Sequence, residues 1–158
     1  MRIIKTTLAF LLLGLIAFTA CRKHSNATGV PGDAEYFIFG SVGGFCPTVC
    51  AQYYKIMGNK LYKSYVDTAS HIQYTDSPMP ADKYTLALPA MTNFPAWFSL
   101  HPNQDVKCAN CADMGFIHLE YKRGGQVYQW NIDYPYEGIP AEIQAYIDQV
   151  SGIMSNLQ

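Results

Sequence analysis

Apolar residues recur along the chain with two different periods, and each period predicts an element. From Phe116 to Tyr121 and from Val127 to Tyr134, apolar and polar positions alternate, as in a strand whose successive side chains point to opposite faces. Lys122-Arg123-Gly124-Gly125-Gln126 separates the two segments, so they are expected to pair. Ile117, Leu119 and Tyr121 would then share a face with Tyr128, Trp130 and Ile132, leaving His118, Glu120, Gln129 and Asn131 on the other. One apolar and one polar side is the pattern of an antiparallel sheet with a solvated face. After Gly138 the period changes. Ile139, Ile143, Tyr146, Ile147, Val150, Ile153, Met154 and Leu157 fall at three- and four-residue steps, which predicts a helix with one apolar stripe. Pro140 suits its first position and Glu142 its first turn. The stripe is expected to lie on the Ile117/Trp130 face of the sheet.

Upstream, Glu35-Tyr36-Phe37-Ile38-Phe39 is a short apolar and aromatic run ended by Gly40, as expected of a buried strand. Ala51 to Met57 and Leu61 to Val66 are strand candidates joined across Gly58-Asn59, residues that tolerate the positive φ of a tight hairpin. Tyr74 and Tyr84-Thr85-Leu86-Ala87-Leu88 are further strand candidates, interrupted by Pro78 and Pro80. Pro89 to Leu100 places Met91, Phe94, Trp97 and Phe98 at near-helical spacing, with Pro95 keeping any helix short. No fixed-period repeat or low-complexity segment divides residues 35–158. They are read as a single α+β domain, an antiparallel β-sheet packed by a C-terminal amphipathic helix.

The first residues follow neither period. Met-Arg-Ile-Ile-Lys precedes an apolar run from Thr7 to Phe18 and then Thr19-Ala20-Cys21, the order of a secretory signal. The run falls short of the ~20 apolar residues that span a bilayer. Phe18-Thr19-Ala20-Cys21 resembles the lipobox of bacterial lipoproteins. The resemblance implies that residues 1–20 are a lipoprotein signal peptide cut before Cys21, and that Cys21 carries a diacylglyceryl thioether and, on its freed amine, an acyl chain such as palmitate. Two or three chains hold far more firmly than one, because each buried methylene contributes ~0.8 kcal/mol. Residues 21–34 are then the lipidated Cys and a Gly-, Pro- and Ser-containing flexible tether. The expected location is the bacterial cell envelope, lipid-anchored to a membrane, the outer one being the first choice.

Charge narrows the partners. The 158 residues carry a formal −1 at pH 7. Without residues 1–20 the chain loses Arg2 and Lys5, leaving nine basic against twelve acidic side chains, a formal −3. Nucleic-acid binding rests on a concentrated positive field and is not expected, nor is electrostatic attraction to an anionic lipid surface. The membrane contact is assigned to the lipid on Cys21.

Four further cysteines stand in two close pairs, Cys46-Pro47-Thr48-Val49-Cys50 and Cys108-Ala109-Asn110-Cys111, about 60 residues apart. Export to an oxidising compartment and an even count point to structural disulfides. Bonds between the pairs would contribute roughly 4 kcal/mol through the unfolded chain and bonds within them only ~2, and the connectivity stays open. The alternative is a zinc site on the thiolates of Cys46, Cys50, Cys108 and Cys111, or thiol exchange. Exchange motifs normally open a helix, whereas a strand pattern follows Cys111. Cys108-Ala109-Asn110-Cys111-Ala112-Asp113, followed by Trp130-Asn131-Ile132-Asp133 and Ile139-Pro140, resembles a group of small bacterial lipoproteins. That resemblance implies an architecture and no catalytic residue.

Other chemistry is sparse. Ser41 in Gly40-Ser41-Val42-Gly43-Gly44 fits neither a hydrolase elbow nor a phosphate loop, and His71, His101 and His118 have no HExxH-type spacing. Asp133 and Glu137 are the nearest approach to a glycosidase pair. No catalytic residue and no cofactor are assigned, and the chain is read as a non-enzyme. Twelve Tyr, eight Phe and two Trp include neighbours such as Tyr53-Tyr54 that must face opposite ways, so some should be exposed and suited to a protein or carbohydrate ligand. The expected function is a membrane-anchored lipoprotein that binds or supports. The alternative is a metal-binding or thiol-redox envelope protein.

Overall fold

The computed structural model describes residues 29–43, 50–67, 69–107, 115–133 and 138–158. The expected signal peptide, Cys21, the tether up to residue 28, Cys46, Cys108, Cys111, Tyr134 and Glu137 lie outside the described residues. The chain forms β1 (Tyr36–Val42), β2 (Ala51–Met57), β3 (Lys60–Val66), β4 (Ile72–Tyr74), α1 (Ala81–Thr92), α2 (Ala96–Leu100), β5 (Phe116–Arg123), β6 (Gln126–Asp133) and α3 (Ala141–Leu157). The six strands make one sheet in the order β4-β3-β2-β1-β5-β6, and every neighbouring pair is antiparallel. With three helices beside it, this is the α+β class expected from the patterning.

Turn chemistry sets the register of the hairpins. Gly124 (φ 56°) and Gly125 (φ 79°) form the two-residue turn between Arg123 and Gln126. Positive φ at both central positions matches the twist of the strands they join. The resulting register places Leu119 opposite Trp130 and Ile117 opposite Ile132, as the alternation predicts.

β1 lies between β2 and β5, with Phe39 facing both Tyr54 and Leu119 across the strands and Phe37 facing both Ile56 and Tyr121. These side chains form one apolar face, which α3 covers with Ile143, Tyr146, Ile147, Val150, Ile153, Met154 and Leu157. Phe94, in the short link between α1 and α2, is fully buried. Its ring lies 4.9–5.9 Å from those of Phe37, Phe98, Tyr121, Trp130 and Tyr146. The Tyr146 hydroxyl donates to the Ala90 carbonyl at 2.6 Å, joining α3 to α1, and burial pushes its pKa well above the ordinary tyrosine range.

Three expectations change. The first strand does not stop at Gly40 but continues through it to Val42. Tyr84 to Leu88, expected as a strand, belong to α1. Their alternation misleads because the buried positions of α1 are the small Ala87 and Ala90, with Tyr84 and Met91 packed beside them. That stripe has helical spacing, while the large Leu86 is turned outward at 38% exposure. Pro80, Pro95 and Pro140 each stand at the N-cap, one position before the helix, and their carbonyls accept the first helical N–H groups. Pro140 is therefore the residue before α3 rather than its first.

Residues 29–34, expected as the end of the tether, are held to the body. Gly29 N–H donates to the Phe94 carbonyl at 2.6 Å and Val30 N–H to that of Met91 at 3.0 Å, and Val30 and Ala34 pack against the core. At the far edge of the sheet, the segment around Val106 runs parallel to β6 and exchanges backbone bonds with Asn131 and Asp133. Asn103 and Asp105 accept the neighbouring N–H groups of Gln129 and Asn131. The donors of Gln129, Asn131 and Asp133, which an edge strand would otherwise offer to another chain, are thereby filled.

Candidate functional site

Side chains on the second face of the sheet are those that the alternation leaves over. On β5 these are His118 and Glu120, two residues apart and therefore on one side. Glu120 is opposite Ile38 of β1, and Ile38 is opposite Lys55 of β2. In the next row Asn131 of β6, His118, Gly40 and Tyr53 lie side by side across four strands. Gly40 decides how close this row comes. A Cβ at this position would overlap the Tyr53 ring and the Gln52 carbonyl and stand 2.8 Å from Tyr53 Cα. With no side chain there, the Tyr53 ring reaches over β1 to meet the His118 ring edge to face at 5.4 Å.

A hydrogen-bonded chain orients the titratable groups. Asp105 accepts both the backbone N–H and the side-chain amide N–H of Asn131, at 3.0 and 3.1 Å. That turns Asn131 Oδ1 toward His118 Nδ1, 2.8 Å away, so Nδ1 carries the donated hydrogen. His118 Nε2 lies 3.4 Å from Glu120 Oε2. The Tyr36 hydroxyl donates to Glu120 Oε1 at 2.8 Å. Side chains of His118 and Glu120 are only 15% and 17% exposed. The Lys55 ammonium stands over the rings of Tyr36 and Tyr74, 4.9 and 5.3 Å from their centres, as cation–π attraction favours.

This arrangement keeps Glu120 ionised and the tyrosines neutral. The hydrogen bond from His118 is the main reason why the Glu120 pKa is lowered, against the opposing effect of burial and with help from Tyr36, the His118 charge and Lys55. Burial, followed by the bond to Glu120 and its charge, pushes Tyr36 up to about 12. Burial first and the Glu120 charge second raise Tyr53 and Tyr74 as well. Folding therefore favours the neutral Tyr36 phenol, a contribution complete below the ordinary tyrosine value and lost as pH rises through about 12. Glu120 has the opposite sign: its contribution is present above the ordinary carboxylate value and is lost as pH falls through the lowered one. An absorbance titration of phenolate should show a step near 12 that vanishes in Tyr36→Phe and moves down in Glu120→Gln. A step unchanged in Tyr36→Phe would show that Tyr36 is not the group responsible.

Between these side chains is a shallow cavity of about 210 Å³ lined by Ile38, Tyr53, Ile72, Tyr74, His118 and Glu120. A larger cleft of about 710 Å³ lies on the helical side between α2 and α3, against Trp97, Leu100 and Tyr146. Two of its polar groups, Asn93 and Gln149, are bonded to each other. Convergent polar groups with shifted pKa values mark a binding site more strongly than volume does, and they are on the sheet side.

Of the residues singled out in the sequence, only some come together. His118 joins this cluster. His101 instead stacks on Trp97 at 4.2 Å, and His71 is an exposed partner of Asp67 on the β3–β4 turn. Ser41 is on β1, and Asp133 ends β6. Cys50 stands just before β2, and Cys46, Cys108 and Cys111 are outside the described residues. No group of three or more metal-ligating side chains assembles among the described residues. Among them, too, no helix is long and apolar enough to cross a membrane. Sequence reading placed His118 and Glu120 on one face but left them unpaired. The signal was there: a His and a Glu two residues apart on a strand are neighbours on the same side. Tyr36, Tyr53, Lys55 and Tyr74 come from three other strands, and only the register brings them to that pair. No family model matches the chain, and no curated protein or solved structure is similar to it at a significant level.

Proposed function

We propose that this chain is a lipid-anchored protein of the bacterial cell envelope whose body is a binding module, with the Tyr36–Glu120–His118 cluster as its ligand site. The observation that carries the binding half is the combination on one sheet face of a half-buried, ionised Glu120 with the phenols of Tyr53 and Tyr74, whose hydroxyls have no hydrogen-bond partner among the described residues. Ionised and hydroxyl groups held in fixed positions beside apolar surface cost a ligand little ordering on binding. The anchor half rests on Phe18-Thr19-Ala20-Cys21 at the end of the apolar run. The oxidising compartment that an exported chain meets favours disulfides on Cys46, Cys50, Cys108 and Cys111 over a four-thiolate zinc site.

Cys21 gives the direct test. In cells fed a labelled fatty acid, the wild-type chain should take up label and sediment with membranes. Cys21→Ser should take up none, and its precursor should remain uncut. Labelled, processed Cys21→Ser protein would refute lipidation at this residue.

A further inference from the structure

The open-face cavity has a composition that selects a ligand class. We propose that it takes one neutral, polyhydroxylated ring, a single sugar unit. This deepens the binding reading given above and rests on it. Its two titratable lining groups, His118 and Glu120, face each other at 3.4 Å, so each is turned to the other rather than to an ionic ligand. The nearby Lys55 ammonium is not part of the lining and is turned to the Tyr36 and Tyr74 rings. What remains is a mixture of donors and acceptors close together. Tyr53 and Tyr74 present hydroxyl donors without a partner among the described residues, and their raised pKa values keep them protonated. Glu120 has spare lone pairs on both oxygens, since a carboxylate offers about four acceptor sites and two are taken.

The apolar part completes the match. Ile38 is 8% exposed and Ile72 38%, giving a floor and a rim of aliphatic surface beside two tyrosine rings. A sugar ring has that same division, hydroxyls around its edge and C–H groups on its faces, and aromatic rings with a polar tip meet both. Size limits the occupant: about 210 Å³ equals the liquid volume of about seven waters, room for one ring. A longer glycan would bind by one unit and extend past Ile72 into solvent.

Titration of the full-length chain with glucose, galactose and N-acetylglucosamine, followed in amide and side-chain NMR spectra, tests the assignment. Glucuronic acid and glucosamine serve as the anionic and cationic counterparts. At least one neutral sugar should shift the resonances of Tyr53, Tyr74, His118 and Glu120, with a dissociation constant on the order of 1 mM. Tyr74→Ala and Glu120→Gln should each weaken it roughly tenfold. Tyr74→Phe, which keeps the ring and loses only the hydroxyl, should fall between, and Leu100→Ala on the far cleft should change nothing. Preference for glucuronic acid or glucosamine over every neutral sugar would overturn the proposal, as would shifts confined to the Trp97/Leu100 cleft. So would the absence of any shift, which leaves lipid attachment at Cys21 to be judged by its own labelling experiment.

Discussion

Phe94→Ala should lower the free energy of unfolding by about 4 kcal/mol, the range measured for removing a fully buried aromatic ring. The residue is in a link between two helices, where a side chain is ordinarily exposed. Here Pro95 ends the link and caps α2, and the chain turns so that the Phe94 ring enters the centre of the apolar face. Five aromatic rings surround it at 4.9–5.9 Å. Three of these contacts are edge to face, a geometry that adds about 0.5–1.5 kcal/mol per pair beyond area burial. Because the neighbours belong to β1, α2, β5, β6 and α3, no single element can close the resulting cavity. The backbone adds a second role, since the Phe94 carbonyl accepts from Gly29 N–H and so ties that segment to the core. Urea unfolding should show a lower midpoint at nearly unchanged slope. Leu100→Ala, at a position 77% exposed, should stay within about 0.5 kcal/mol of wild type. Near-equal midpoints for Phe94→Ala and Leu100→Ala would contradict the central position of this ring.

How far these features were legible in the sequence follows from the range of the interactions. The β5–β6 hairpin and α3 were readable because their signal is local: alternation gives the face, Gly124-Gly125 gives the turn, and the stripe from Ile143 to Leu157 has an unbroken helical period. Helix α1 was missed because its buried stripe is made of alanines, whose weak apolar signal was overridden by the alternation of Tyr84 to Leu88. The candidate site was half legible. His118 and Glu120 are neighbours by strand period alone, but Tyr36 reaches Glu120 only through the β1–β5 register. Asp105 reaches Asn131 only through the segment laid along the edge of β6. Tyr74 is brought to the cluster by a three-residue strand, too short to leave a period. Gly40 reads in sequence as the end of a strand, since glycine weakens strands and often marks a close backbone approach. The second meaning is the correct one.

Gly40→Ala should therefore cost about 3 kcal/mol, at the upper end of what forced overpacking does, although alanine is otherwise no worse than glycine within a strand. The added Cβ meets backbone as well as side chain: it would overlap the Gln52 carbonyl and stand 2.8 Å from Tyr53 Cα. A ring can rotate away, but β2 can give way only by moving from β1, which also carries β5 on its other edge. The pair Gly40→Ala and Tyr53→Ala separates these contributions. If the ring alone were the obstacle, adding Tyr53→Ala would restore the stability lost by Gly40→Ala. With the backbone also in contact, recovery should be partial, and the coupling between the two changes should lie in the range of about 0.5–3 kcal/mol seen for touching residues. The same substitution should remove the ring-current shift that Tyr53 imposes on His118, now 5.4 Å away. Unfolding within about 0.5 kcal/mol of wild type, with the His118 resonances unmoved, would mean that β1 and β2 do not approach this closely and that Gly40 does not shape the site.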